Sequence, residues 1–175
     1  MAAKTSVFYL TQRLTINTAA TDFTDTIVLG AYVDIADRQG ILVHSVDFTF
    51  QGTTPQEQLP ITFGAGALAL CQVTDLNRGE LVFNDDRALV ASGALAYDAD
   101  GFMSNHQDLY PDNFGPTSAQ GGRIVINDQM YVRGRVNALA SSKALNVVAR
   151  IKCSVISLSQ KDFMAIALQS TAADN

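Results

Sequence analysis

The chain has no tryptophan, two histidines, two cysteines and four prolines in 175 residues. Each scarcity removes a class of protein. Two histidines, His44 and His106, share no local spacing, and Cys71 and Cys153 both sit in apolar strand patterns, so no zinc-ligand signature exists. The same shortage denies a nucleophile triad: Gly-x-Ser-x-Gly is absent and neither cysteine has a reactive context. A phosphate-cradling Gly-rich loop followed by Lys and a helix is also missing. No apolar run approaches the ~20 residues of a spanning helix. The opening Met-Ala-Ala-Lys-Thr-Ser lacks the layout of a signal peptide, and none is expected.

Charge is scarce as well. Charged residues make up 17% of the chain and the net charge is −5, which argues against a broad phosphate-neutralising surface. A basic N-terminal arm is missing, since Lys4 and Arg13 are the only cations before Arg38. The length suits one domain, 1–175, able to bury roughly 70% of its unfolded surface, so no disulfide framework is required. The two cysteines read as small buried hydrophobes, with a cross-sheet disulfide left open.

What is present is a period of two. In the last third, Val147, Ala149, Ile151, Cys153 and Val155 alternate with Asn146, Val148, Arg150, Lys152 and Ser154. Met130, Val132, Gly134 and Val136 alternate with Gln129, Tyr131, Arg133 and Arg135, and Ile124 and Ile126 with Arg123, Val125 and Asn127. Alternation of this kind marks half-buried antiparallel strands. Asn127-Asp128 has the residue types of a two-residue hairpin turn and predicts pairing of its flanking strands. Earlier strands are predicted over 7–17, 26–35, 41–51, 61–74 and, more loosely, 81–97. Ser159, followed by Asp162, predicts the cap of a short C-terminal helix. The sum is an all-β, eight-stranded, two-sheet sandwich.

The connections alternate in length. Those at 18–25, 52–60, 99–122 and 137–143 are long, and those at 37–40, 75–79 and 127–128 are short. One end of the sandwich is thus expected to be elaborated and the other trimmed, with binding on the elaborated end. His44, on the parity of Val46, Phe48 and Phe50, reads as a core histidine, and His106 as a solvated loop residue. Asp98, Asp100, Asp108 and Asp112 could offer oxygens to Ca²⁺, but the order of an EF-hand is absent and turn chemistry is the reading. Arg123, Arg133, Arg135, Arg150 and Lys152 can line one face of the last three strands as a solvated face or subunit interface. Catalytic residues, metals and cofactors are expected to be none.

Short strands, alternating loops and chain size resemble a single jelly-roll viral capsid protein. The block from Gly122 to Gly134, then Val147 to Leu158 and the capped helix, resembles the end of small coat proteins of tailless icosahedral viruses with an internal membrane. The resemblance implies a jelly roll, no enzyme activity and self-assembly into capsomers of an icosahedral shell. It implies a virion location with synthesis in host cytoplasm. The expected partners are further copies, a second capsid subunit and the virion's internal membrane, with no direct nucleic acid. The expected interface is Phe102, Tyr110 and Phe114 on the long loop, with Tyr131 and Arg133 on the sheet. The alternative is a non-catalytic carbohydrate-binding β-sandwich, against which the lack of tryptophan counts.

Overall fold

Alternating side chains need two sheets to bury one face each, and the chain supplies them. The computed structural model describes residues 2–64, 66–107 and 122–172. Its strands are β1 (Ala2–Ala3), β2 (Phe8–Ile16), β3 (Phe23–Val28), β4 (Gln39–Gln51), β5 (Ala67–Thr74), β6 (Leu89–Tyr97), β7 (Met103–Gln107), β8 (Arg123–Val125), β9 (Gln129–Val136) and β10 (Leu145–Ser157). Helices α1 (Leu59–Thr62) and α2 (Gln160–Ala172) complete the described elements.

The first sheet has β2 and β1 beside β10, then β4, then β8; the second runs β3, β9, β5, β6, β7. Every pairing is antiparallel. The eight principal strands pair as first with last, β2 with β10, then β3 with β9, β4 with β8 and β5 with β6. The chain is therefore one long double-stranded ribbon, closed at β5–β6 and wound so that successive pairs fall on alternate sheets. That winding is the jelly roll. β1 extends the β2 edge, and β7 extends the other sheet beyond β6.

The core lies between the sheets. Val46, Val132 and Ile151 are fully enclosed and Phe48 is 3% exposed. Gly93 of β6 lets the Phe48 ring come close: a Cβ there would stand 2.6 Å from its Cδ2. A second apolar cluster forms outside the first sheet, where Phe163, Ile166 and Ala167 of α2 cover Leu42, Ile124, Ile126, Ile156 and Leu158. The helix starts as its sequence predicts. Asp162 N–H donates to Ser159 Oγ at 3.1 Å, and Ser159 Oγ–H donates to Asp162 Oδ2 at 2.8 Å.

Several expectations are corrected. Asn127-Asp128 joins no hairpin: β8 pairs with β4 and β9 with β3 and β5, so the turn crosses between sheets. Val125 is consequently in the main core, and Ile124 and Ile126 on the opposite parity lie under α2. The second strand begins earlier, at Phe23, and ends at Val28, because Tyr32 and Val33 N–H both turn back to Leu29 O. The predicted strand at 61–74 is split into α1 and β5. The long connection at 99–122 opens with a hairpin into β7. The supposedly trimmed end is not trimmed, since 29–38 and 75–88 are both long connections there.

Candidate interaction surfaces

The histidines, cysteines and loop aspartates are the residues whose chemistry the sequence raises, and each described one has a definite place. His44 is not a core residue. Lys152 pairs with Ser45 and Cys153 with Val43, leaving His44 as the extra residue of a bulge. One extra residue reverses the faces. Val43 points to the core, while His44 Nε2 lies 3.0 Å from Ser154 Oγ. Burial, then the positive charge of Lys152, holds the imidazole below its usual pKa. A serine–histidine contact invites a catalytic reading, but Ser154 is only 4% exposed and the pair sits as a part-buried polar contact on the sheet.

His106 is exposed on β7, opposite Ala94, far across the sandwich from His44. Both cysteines are buried free thiols. Burial pushes the Cys71 thiol far up and the Cys153 thiol up to about 11. Asp98 performs turn chemistry: its Oδ1 accepts from Asp100 N–H at 2.9 Å and Phe102 N–H at 2.8 Å. Asp108 and Asp112 lie outside the described residues.

The expected basic stripe is dispersed because its members belong to different sheets. Arg123 is 2% exposed; its Nη2 donates to Asp75 Oδ2 at 2.7 Å and to Arg87 O. Burial pushes the Asp75 carboxyl up against the pull of Arg123. Arg133 is 1% exposed. It does sit on the outward parity of β9, but the 75–88 connection folds over it. Its Nε donates to Thr24 Oγ1 and its Nη2 to Asn77 Oδ1, both at 2.8 Å, and its Nη1 donates to Glu80 O. Arg135 is exposed and lies 3.5 Å from Asp22.

The same connection is tied to the sheet by Gln72. Its Nε2 donates to Val82 O at 2.7 Å and its Oε1 accepts from Val82 N–H at 2.9 Å. This fixes Phe83 outside the second sheet, 87% exposed, above a shallow groove lined by Leu70, Gln72, Leu81, Val82, Asn84 and Asp85. Phe83 was not singled out by sequence reading. The Leu81-Val82-Phe83 run looked like strand, and nothing local says that its last residue faces solvent. Phe102, which was singled out, is 73% exposed at the β6–β7 turn. Tyr131 is half-buried, its hydroxyl donating to Gln129 Oε1 at 2.8 Å. Tyr110 and Phe114 lie outside the described residues.

A jelly roll with exposed aromatics and a buried polar layer tying its loops is a scaffold that presents surfaces. No protein-family model and no curated protein matches the sequence. Among solved structures, the chain is similar to VP1 of KI polyomavirus, described as an unassembled pentamer, with 11% identity, 91% of this chain and 99% of that one covered, and a TM-score of 0.43. It is similar to Merkel cell polyomavirus VP1 in complex with 3'-sialyllactosamine, at 7% identity, 90% and 98% coverage and a TM-score of 0.44. Desmodium yellow mottle tymovirus aligns at 8% identity, 89% and 91% coverage and a TM-score of 0.33. The functional reading rests on this chain's own strand order and surfaces.

Proposed function

We propose that the chain, one jelly-roll unit over 1–175, is a non-catalytic capsid subunit that self-assembles into capsomers of an icosahedral shell. The jelly-roll strand order carries this reading. The fold recurs in capsid proteins, lectins and cupins. A cupin needs several histidines gathered on inward strand positions, whereas His44 bulges outward and His106 lies on the far sheet. A sandwich that works by contact needs exposed apolar groups on rigid supports, and Phe83 and Phe102 have that character. The proposed interface joins them to Tyr131, Tyr110 and Phe114. Arg133 supports that surface from beneath by holding the 75–88 connection. In this reading the chain resides in the virion, is made in host cytoplasm and belongs to the membrane-containing type. Its partners there are further copies, a second capsid subunit and the internal membrane.

Analytical ultracentrifugation and negative-stain microscopy test the reading. The expected result is a discrete oligomer, shifted toward monomer by Phe83→Ser with Phe102→Ser while far-UV circular dichroism stays unchanged. A chain that is monomeric at every concentration, and that no partner subunit assembles, overturns it. Glycan binding by such a monomer would establish the carbohydrate-binding module instead.

A further inference from the structure

Helix α2 covers one end of the outer face of the first sheet, and among the described residues nothing else covers it: Tyr9, Thr11, Arg13, Asp47, Thr49 and Arg150 are exposed. Across β2, β10 and β4, the register aligns Tyr9 with Lys152 and Ser45, then Thr11 with Arg150 and Asp47, then Arg13 with Val148 and Thr49. Arg13 and Arg150 are exposed and Lys152 is half-buried. Elsewhere, Arg78, Arg123, Arg135 and Lys143 each meet a carboxylate. Among the described residues, Arg13, Arg150 and Lys152 form no such ion pair, even though Asp47 lies across from Arg150. This face thus concentrates three available cations against one carboxylate, on a chain whose net charge is −5.

Spacing adds to charge. Two residues along a strand advance about 7 Å, so Arg150 and Lys152 stand that far apart on one side of β10, and Arg13 continues the row diagonally on β2. A row of cations at that pitch on a flat surface matches the phosphates of an extended single strand. Thr11, Thr49 and Ser45 add hydroxyls along it. Tyr9, 57% exposed beside Lys152, offers an aromatic ring at the end of the row. Base stacking on an aromatic beside a cationic track is the general mode of single-strand binding. A bilayer would call for several exposed apolar groups to insert, and beyond Tyr9 the three aligned rows offer only the half-buried Val148.

We propose that the outer face of β2, β10 and β4 binds single-stranded nucleic acid, with phosphates along Arg13, Arg150 and Lys152 and a base on Tyr9. This departs from the expectation, drawn from the acidic composition, of no nucleic-acid contact. It stands on this face alone and does not depend on assembly.

The experiment is fluorescence anisotropy of a labelled oligothymidylate with the full chain. Wild type gives a saturable rise, and log affinity falls with log salt with a slope of about −2, as three phosphate contacts require. Replacing Arg13, Arg150 and Lys152 together by Gln weakens binding at least about ten-fold and flattens the slope toward zero. Arg13→Lys with Arg150→Lys, which keeps the charge, retains the slope. Tyr9→Ala weakens binding with the slope unchanged. Arg38→Gln with Lys161→Gln, which removes exposed cations elsewhere, changes neither. The proposal is overturned by no rise with wild type, by equal binding of the triple variant, or by an equal loss in the Arg38/Lys161 control. Tighter binding to phosphatidylserine vesicles than to the oligonucleotide also overturns it and assigns the face to a bilayer.

Discussion

Gly93→Ala tests the face-to-face packing of the two sheets at one atom. In an ordinary strand position the change is favourable, by about 0.4–1 kcal/mol, because alanine restricts the unfolded chain. Gly93 has no positive φ that would forbid it. The opposing term is contact: the new Cβ would sit 2.6 Å from Cδ2 and 3.1 Å from Cγ of Phe48. That ring is 3% exposed, and Val46 and Ile151, fully enclosed, share its core. It is not the loose end of a flexible chain. Overpacking of a formed core costs about 1–3 kcal/mol, which exceeds the backbone gain, so net destabilisation is expected. At this chain length each kcal/mol lowers Tm by about 2–4 °C. Phe48→Ala alone should cost about 3–5 kcal/mol. In the double variant the clash has no partner, so the two losses should fall short of additivity by about 1 kcal/mol or more. Urea denaturation of the four proteins gives the cycle. A stabilised Gly93→Ala, or strict additivity, would refute the close approach of β6 and β4.

Two further outcomes follow from burial. His44 is held below its ordinary pKa, so the unfolded chain binds its proton more readily; stability should be fully present above about pH 6.5 and decline as pH falls below it. His44→Gln should flatten that part of a Tm-against-pH curve, and an unchanged slope counts against the bulge geometry. The cysteines, as buried thiols, should react with Ellman's reagent only on denaturation, where two thiols per chain should appear. Rapid labelling of native protein, or none in denaturant, contradicts the packing.

Why some of this was legible in the sequence can be seen strand by strand. β10 alternates without interruption from Leu145 to Cys153 and packs as its parity says, because it lies centrally and its inner face meets only core. Parity does not say which sheet a strand joins. Arg123 to Val125 and Gln129 to Val136 therefore looked like a hairpin, although each pairs elsewhere. A short turn serves a crossing between stacked sheets as well as it serves a hairpin. Parity also fails at a bulge: the pattern through Val46, Phe48 and Phe50 runs backward onto His44, and one extra residue turns that side chain outward. Ile35 fitted the apolar parity of the second strand, yet the chain has turned by then and it is 71% exposed. Arg150 and Lys152 belong to the expected basic row, but Arg13 joins them only through the pairing of the first and last principal strands, which no local window contains.

Arg133 shows how such long-range coverage changes the meaning of a residue. By parity it faces away from the core, and Arg133→Asp would look like a clean disruption of an interface. Its guanidinium instead holds Thr24 of β3 and Asn77 and Glu80 of the 75–88 connection, and burial draws its pKa down against the pull of Asp22 and Glu80. Aspartate there would remove three donors and add a carboxylate near two others. Leaving these buried polar partners unsatisfied costs about 1–3 kcal/mol each. Arg133→Met keeps the apolar stem without adding a like charge, and should cost less. Hydrogen exchange should then accelerate at the amides of 76–83 in both variants, and Phe83, anchored through the same connection, should lose its fixed position. Arg133→Asp would thus weaken assembly by loosening the support of Phe83 rather than by touching a partner. An Arg133→Asp protein with unchanged unfolding, unchanged exchange and lost assembly would place Arg133 at the contact itself and remove the connection from above it.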